Sequence, residues 1–166
     1  MAYAVLALAP VLVLANAIAQ GLAMEAHNHS ANMVPAAEMM PAEKYGYKAT
    51  PDTASFGDLI FHSADANYTL CSAAVGDAKP EVPAKAGAGK EALVAQLKKS
   101  FAYCDAAFER IDPAKLGTEV ALFGRTVTRA WVLFHMALDW GDHYSQAAAM
   151  LRANGLTPPS VRARGR

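Results

Sequence analysis

The sequence predicts an all-α fold, a four-helix bundle, on three observations. Hydrophobic residues make up 54% of the 166 residues, and alanine, the strongest helix former, supplies much of that share. Long segments between Gly- and Pro-rich breaks carry apolar residues at helical spacing. No convincing strand alternation competes with them, and helices that each bury one stripe are satisfied by packing on one another. The length fits one domain with a core that needs no staples.

The first residues stand apart. Residues 1–19 contain no charge, residues 5–14 have the length of a signal-peptide apolar region, and Ala15-Asn16-Ala17 is a small-x-small cleavage site. No Lys or Arg precedes the apolar run. The alternative is an apolar start to the first bundle helix. With Pro10 inside it, the run is short for a membrane span, so no stable span is expected. Residues 1–20 are thus read as a signal peptide or apolar N-terminal segment. A processed chain would be periplasmic or secreted, an unprocessed one cytoplasmic.

The bundle is expected over residues 24–160. Its first helix occupies residues 24–40 and ends at Pro41, with a kink or interruption at Pro35. A connector rich in Tyr, Gly and Pro leads to a second helix over about residues 54–74, with Asp52 or Thr53 as N-cap. A loop over residues 76–89, with two prolines and three glycines, leads to a third helix. That helix begins near Lys90 and reads Leu93, Leu97, Phe101, Cys104, Phe108, an amphipathic stripe. Residues 118–123 fit a short extended piece. The fourth helix is expected over residues 126–154, turning its apolar face inward through Trp131, Leu138, Met150 and Leu151. Gly155 then suits the residue after a helix end. Residues 161–166 form a basic tail that reads as a solvated, frayed end.

Charge is balanced, 15 Lys and Arg against 15 Asp and Glu. No nucleic-acid partner is predicted, since capture of a polyanion needs a basic excess on one face. Cys71 and Cys104 would pair in an exported chain; in a cytosolic one they would be buried apolar residues.

The chemistry concentrates on the fourth helix. His135, Asp139, Asp142, His143 and Gln146 are spaced 4, 3, 1 and 3 apart and share one helix face. Asp139 and His143 are an i,i+4 pair that can reach one ion, and His62 on the second helix can meet them as bundle metal sites are built. His135 and His143 lie about 12 Å apart along the axis and cannot both bind it. Either His135 with Asp139 or Asp139 with His143 is the pair. The competing reading is a solvated salt-bridging face and a satisfied core histidine. His27 and His29 are expected to be exposed.

Four segments bear a resemblance. Met40-Pro41-Ala42-Glu43-Lys44-Tyr45-Gly46-Tyr47 resembles the segment after the first helix in DinB-like proteins. Ser55-Phe56-Gly57-Asp58-Leu59-Ile60-Phe61-His62 resembles their second helix with its first metal-binding histidine. Thr128-Arg129-Ala130 resembles the start of their last helix. Asp142-His143-Tyr144-Ser145-Gln146, followed by Leu151-Arg152-Ala153-Asn154-Gly155 and Pro158-Pro159, resembles its ending. The likeness covers about residues 36–160.

The resemblance implies an up-down-down-up bundle, often a homodimer, holding one divalent metal on three histidines. His62 matches the first ligand and His143 the last. The middle position falls on Asp139, where the family usually has histidine. Two histidines and a carboxylate still serve catalytic zinc and non-haem iron. Zinc is the expected metal, with nickel, iron or manganese as alternatives. Such a site in a metal-dependent thiol S-transferase or hydrolase would activate a thiol or water, with Asp142 or His135 as general base. The alternative is a non-catalytic binding or stress-response bundle with a structural or vestigial metal site.

Overall fold

The computed structural model describes residues 8–164. Four long helices, α1 (Leu8–Met39), α2 (Phe56–Val75), α3 (Lys90–Phe108) and α4 (Arg129–Ala153), form the expected bundle. A two-stranded hairpin, β1 (Glu119–Leu122) and β2 (Arg125–Thr128), precedes α4, and a short α5 (Pro159–Arg164) follows it. α1 and α2 each pack on both α3 and α4. The connectors before α2 and after α3 are long because the helices they join are not the main packing neighbours.

α1 is longer than the sequence suggests. It runs unbroken through Ala15-Asn16-Ala17 and through Pro35. A proline removes one backbone donor, but Met33, Ala36, Ala37 and Met40 around it are all buried, and that packing holds the helix. Ala26 is fully buried, as are Ala36 and Ala37 beside Pro35. Residues 1–7 of the expected signal sequence lie outside the described residues.

The connector after α1 closes its last turn. The buried Tyr45 hydroxyl donates to the Ala37 carbonyl at 2.6 Å, and Lys90 Nζ donates to the Glu38 carbonyl at 2.6 Å. Both satisfy carbonyls that the helix end leaves free. Gly57 N–H then donates to the Tyr45 carbonyl at 2.7 Å. A Cβ on Gly57 would stand 3.2 Å from that oxygen, so the approach is close enough to favour glycine.

α2 begins with a capping box: the Ser55 hydroxyl accepts from Asp58 N–H while Asp58 accepts from Ser55 N–H. The N-cap is therefore Ser55, not Asp52 or Thr53. On α3 the expected stripe is all buried, from Leu93 through Phe108. Cys71 on α2 and Cys104 on α3 are joined by a disulfide in the core.

The fourth helix departs from expectation at its start. Residues 125–128 are a strand, paired antiparallel to β1 with Leu122 opposite Arg125. The β-branched Thr126, Val127 and Thr128 favour that state. Thr128 then caps α4, its hydroxyl accepting from Trp131 N–H at 3.2 Å. Leu138, expected inside, is 73% exposed, and the inward stripe runs through Val132, Met136, Trp140, His143, Ala147 and Leu151 instead. The basic tail is ordered as α5 up to Arg164; Ser160 N–H donates to the Tyr144 hydroxyl at 2.9 Å.

Among the described residues, no helix is long and apolar enough to cross a membrane.

Candidate metal centre

The inward stripe of α4 carries one imidazole. His143 is 5% exposed, flanked along the stripe by Trp140 and Ala147. Burial pushes its pKa below the ordinary histidine value; Asp139 and Asp142 oppose that shift, and His62 adds to it. The ring is thus held neutral at neutral pH, the form that binds a metal ion.

Asp139 lies one turn before it. Its Oδ2 stands 3.5 Å from His143 Nδ1, and both atoms are buried without a hydrogen-bond partner. Unpaired buried polar atoms are costly, and each requires an explanation. Two ligands of a tetrahedral ion at about 2.0–2.2 Å stand roughly 3.4 Å apart. The separation of this orphaned pair matches that edge, so the donors present fit a divalent metal.

His62, on α2, faces the pair. Its ring centroid lies 4.9 Å from that of His143, edge to face at 75°. The side chain is exposed, so it sits at the surface and not in the core. Among the described residues, no group of three or more His, Cys, Asp or Glu side chains converges on one point in metal-binding geometry. What the fold brings together is a buried pair and a third histidine beside it.

The two expected proton-transfer residues are placed differently. Asp142 is exposed and accepts from Gln146 Nε2 at 2.7 Å. His135 does not bond Asp139. It stacks on Trp131 with centroids 4.6 Å apart and an interplanar angle of 13°, and meets the Phe123 ring at 6.0 Å. His27 is exposed as expected, but His29 is half-buried: its ring lies 5.9 Å from Trp140. Burial lowers the His29 pKa, offset in part by Glu25 at 3.8 Å.

Beneath the pair is a buried polar chain not anticipated from the sequence. Trp140 Nε1 donates to Asn67 Oδ1 at 2.7 Å, Asn67 Nδ2 donates to Ser100 Oγ at 3.0 Å, and Ser100 Oγ donates to the Leu97 carbonyl at 2.8 Å. It ties α4, α2 and α3 together next to His143. One signal was available: Asn67 falls on the stripe Ile60, Ala64, Cys71, where an amide needs partners.

The model of the DinB superfamily matches residues 25–147, most of the chain and all three candidate ligands. The chain belongs to the DinB superfamily. Among solved structures, it is similar to a DinB-like protein from Bacillus subtilis, with 20% identity and a TM-score of 0.69 over 82% of this chain and 93% of that one. It is also similar to a DinB-like protein from Bacillus cereus, with 15% identity and a TM-score of 0.67 over 84% and 95%. At these identities the likeness establishes the DinB-like fold. A search of curated proteins finds no match to the sequence.

Proposed function

We propose that this DinB-superfamily protein binds one divalent metal through His62, Asp139 and His143, and is a metal-dependent thiol S-transferase or hydrolase. One observation carries the reading: Asp139 Oδ2 and His143 Nδ1 are buried, unpartnered and 3.5 Å apart. A bound divalent ion, zinc by preference, would lower the pKa of a thiol or water in an open position. The harder carboxylate ligand widens the acceptable set toward iron and manganese, with nickel also admissible. The chain's own groups do the rest. His143 offers a neutral nitrogen, Asp139 supplies charge, and the exposed His62 supplies the third donor. Asp142, the exposed carboxylate beside His143 in the chain, serves as proton acceptor after exchanging its Gln146 hydrogen bond. His135, held by Trp131, serves as a wall of the site and not as its base.

The test is metal analysis of protein purified without a His-tag, followed by a thiol-transfer assay on the zinc-loaded form. Zinc uptake with transfer supports the enzyme. Uptake with no exchangeable position supports the structural-site alternative, and no uptake removes the metal reading.

The same reading includes export and a homodimer. The buried disulfide between α2 and α3 suits an oxidising compartment, in line with the uncharged first residues. The exposed Phe134, Leu138 and Met24 offer an apolar face to a second copy. Amino-terminal sequencing of protein from its native host should find the mature chain starting after Ala17; an intact Met1 or Ala2 on a cytosolic protein would end the export reading.

A further inference from the structure

The hairpin before α4 breaks a local rule at its tip. With Leu122 opposite Arg125, the turn is the two residues Phe123 and Gly124, and both have positive φ, 52° and 74°. This two-residue turn favours Asn-Gly, because its first position must sit in the left-handed region. A bulky aromatic there is a true outlier and costs stability. Burial does not repay the cost, since Phe123 is 57% exposed. Residues in sparsely populated backbone regions cluster at ligand-binding sites.

What the strained residue faces is specific. Its ring meets His135, His135 stacks on Trp131, and the Arg125 guanidinium lies 5.3 Å from the Trp131 ring centre. Arg125 is exposed and makes no ion pair among the described residues. His135 is one helical turn from Asp139 and two from His143, about 6 and 12 Å along the axis. Trp131, over which Arg125 lies, is one turn further, about 12 Å from Asp139 and 18 Å from His143 along the axis, so an aromatic surface ending in a cation runs along α4 over the span of an elongated aryl substrate.

We infer that the hairpin tip and the first turns of α4 form the recognition wall for the substrate of the metal centre. The wall takes a planar apolar group against Phe123 and His135 and an anionic substituent at Arg125. The substrate class is an aryl, or similarly planar, carboxylate whose reacting group reaches Asp139 and His143. The inference rests on the metal reading for that reacting end only; the wall binds its part of the ligand without metal.

Two probes separate the dependencies. Benzoate, with metal-free protein, tests the wall alone through the Trp131 indole resonance. 4′-Mercaptobiphenyl-4-carboxylate, with zinc-loaded protein, tests wall and metal together, against 4-mercaptobiphenyl as the uncharged control. The parent should show a saturable benzoate shift. It should bind 4′-mercaptobiphenyl-4-carboxylate about tenfold more tightly than 4-mercaptobiphenyl, the scale of one charge-assisted contact. Arg125→Gln should abolish that preference. Phe123→Asn should weaken both carboxylates by about tenfold, yet raise the melting temperature by about 2–4 °C by placing a favoured residue in the turn. Zinc titration of the parent reports separately on the metal reading. A parent with no benzoate response, or variants that bind both carboxylates as the parent does, would overturn the wall whether or not zinc binds.

Discussion

Asp139→Ala is expected to lower zinc affinity by well over 100-fold. Removing a partner that orients a metal ligand costs about 10–100-fold, and removal of a ligand itself costs more. The substitution also leaves His143 Nδ1 buried with no acceptor or ion within reach. Asp139→His should retain binding and shift preference toward zinc, nickel or copper, because it exchanges the donor atom and keeps the ligand count. His135→Ala is the control: its ring stacks on Trp131 and does not touch the Asp139 carboxylate, so zinc affinity should change by less than about tenfold. Calorimetric titration of the three variants with zinc and iron(II) reads all of this. An Asp139→Ala variant that binds zinc as tightly as the parent would make Asp139 an ordinary polar helix residue.

The second large effect is expected from the disulfide. Cys71 and Cys104 are separated by 33 residues, and both are fully buried. In the chain-entropy account, closing a loop of that length in the unfolded state stabilises the fold by about 3–4 kcal/mol. Replacing both with alanine should therefore lower the melting temperature by about 10 °C at this chain length. The space left beside Met136, whose sulfur lies 3.3 Å from Cys71 Sγ, adds to the loss. Thermal melts of parent and double variant under non-reducing conditions check it. Coincident melts would mean that the link contributes nothing.

Most of the bundle was legible because its helices carry the signals that physics requires. The α3 stripe from Leu93 to Phe108 is a 3.6-residue pattern, and every member is buried. Ser55 and Asp58 are a capping box readable in advance, although the N-cap was expected at Asp52 or Thr53. The misses have local causes. Pro35 looked like an interruption, but packing on either side outweighs one missing hydrogen bond. Thr126-Val127-Thr128 was absorbed into the following helix because a strand so short shows barely one alternation. Leu138 was expected in the core on hydrophobicity alone; its angular position on α4 places it in solvent, while Trp140 and His143 face inward.

The candidate residues could be named from the sequence, but not how they sit in the bundle. Spacing put Asp139 and His143 on one helix face and His62 on a facing helix, and the family resemblance pointed to the same three residues. That His143 lies within the buried stripe depends on how α4 is rotated against α2, and no single-helix pattern fixes that. The place of His29 is likewise tertiary, since its ring meets Trp140 from another helix, whereas the stack of His135 on Trp131 is an i,i+4 pair within α4 that spacing alone could have shown. Asn67 was missed because an amide within an alanine-rich helix looks neutral until its partners, Trp140 and Ser100, arrive from other helices.

The most direct test of the metal centre is zinc X-ray absorption on tag-free parent and His62→Ala. The parent should take up one zinc per chain, with nitrogen and oxygen ligands at about 2.0–2.2 Å, no sulfur, and the multiple-scattering signature of two imidazoles. His62→Ala should keep one imidazole and bind more weakly. A parent that takes up no zinc, or a spectrum unchanged by His62→Ala, would contradict a centre built from His62, Asp139 and His143.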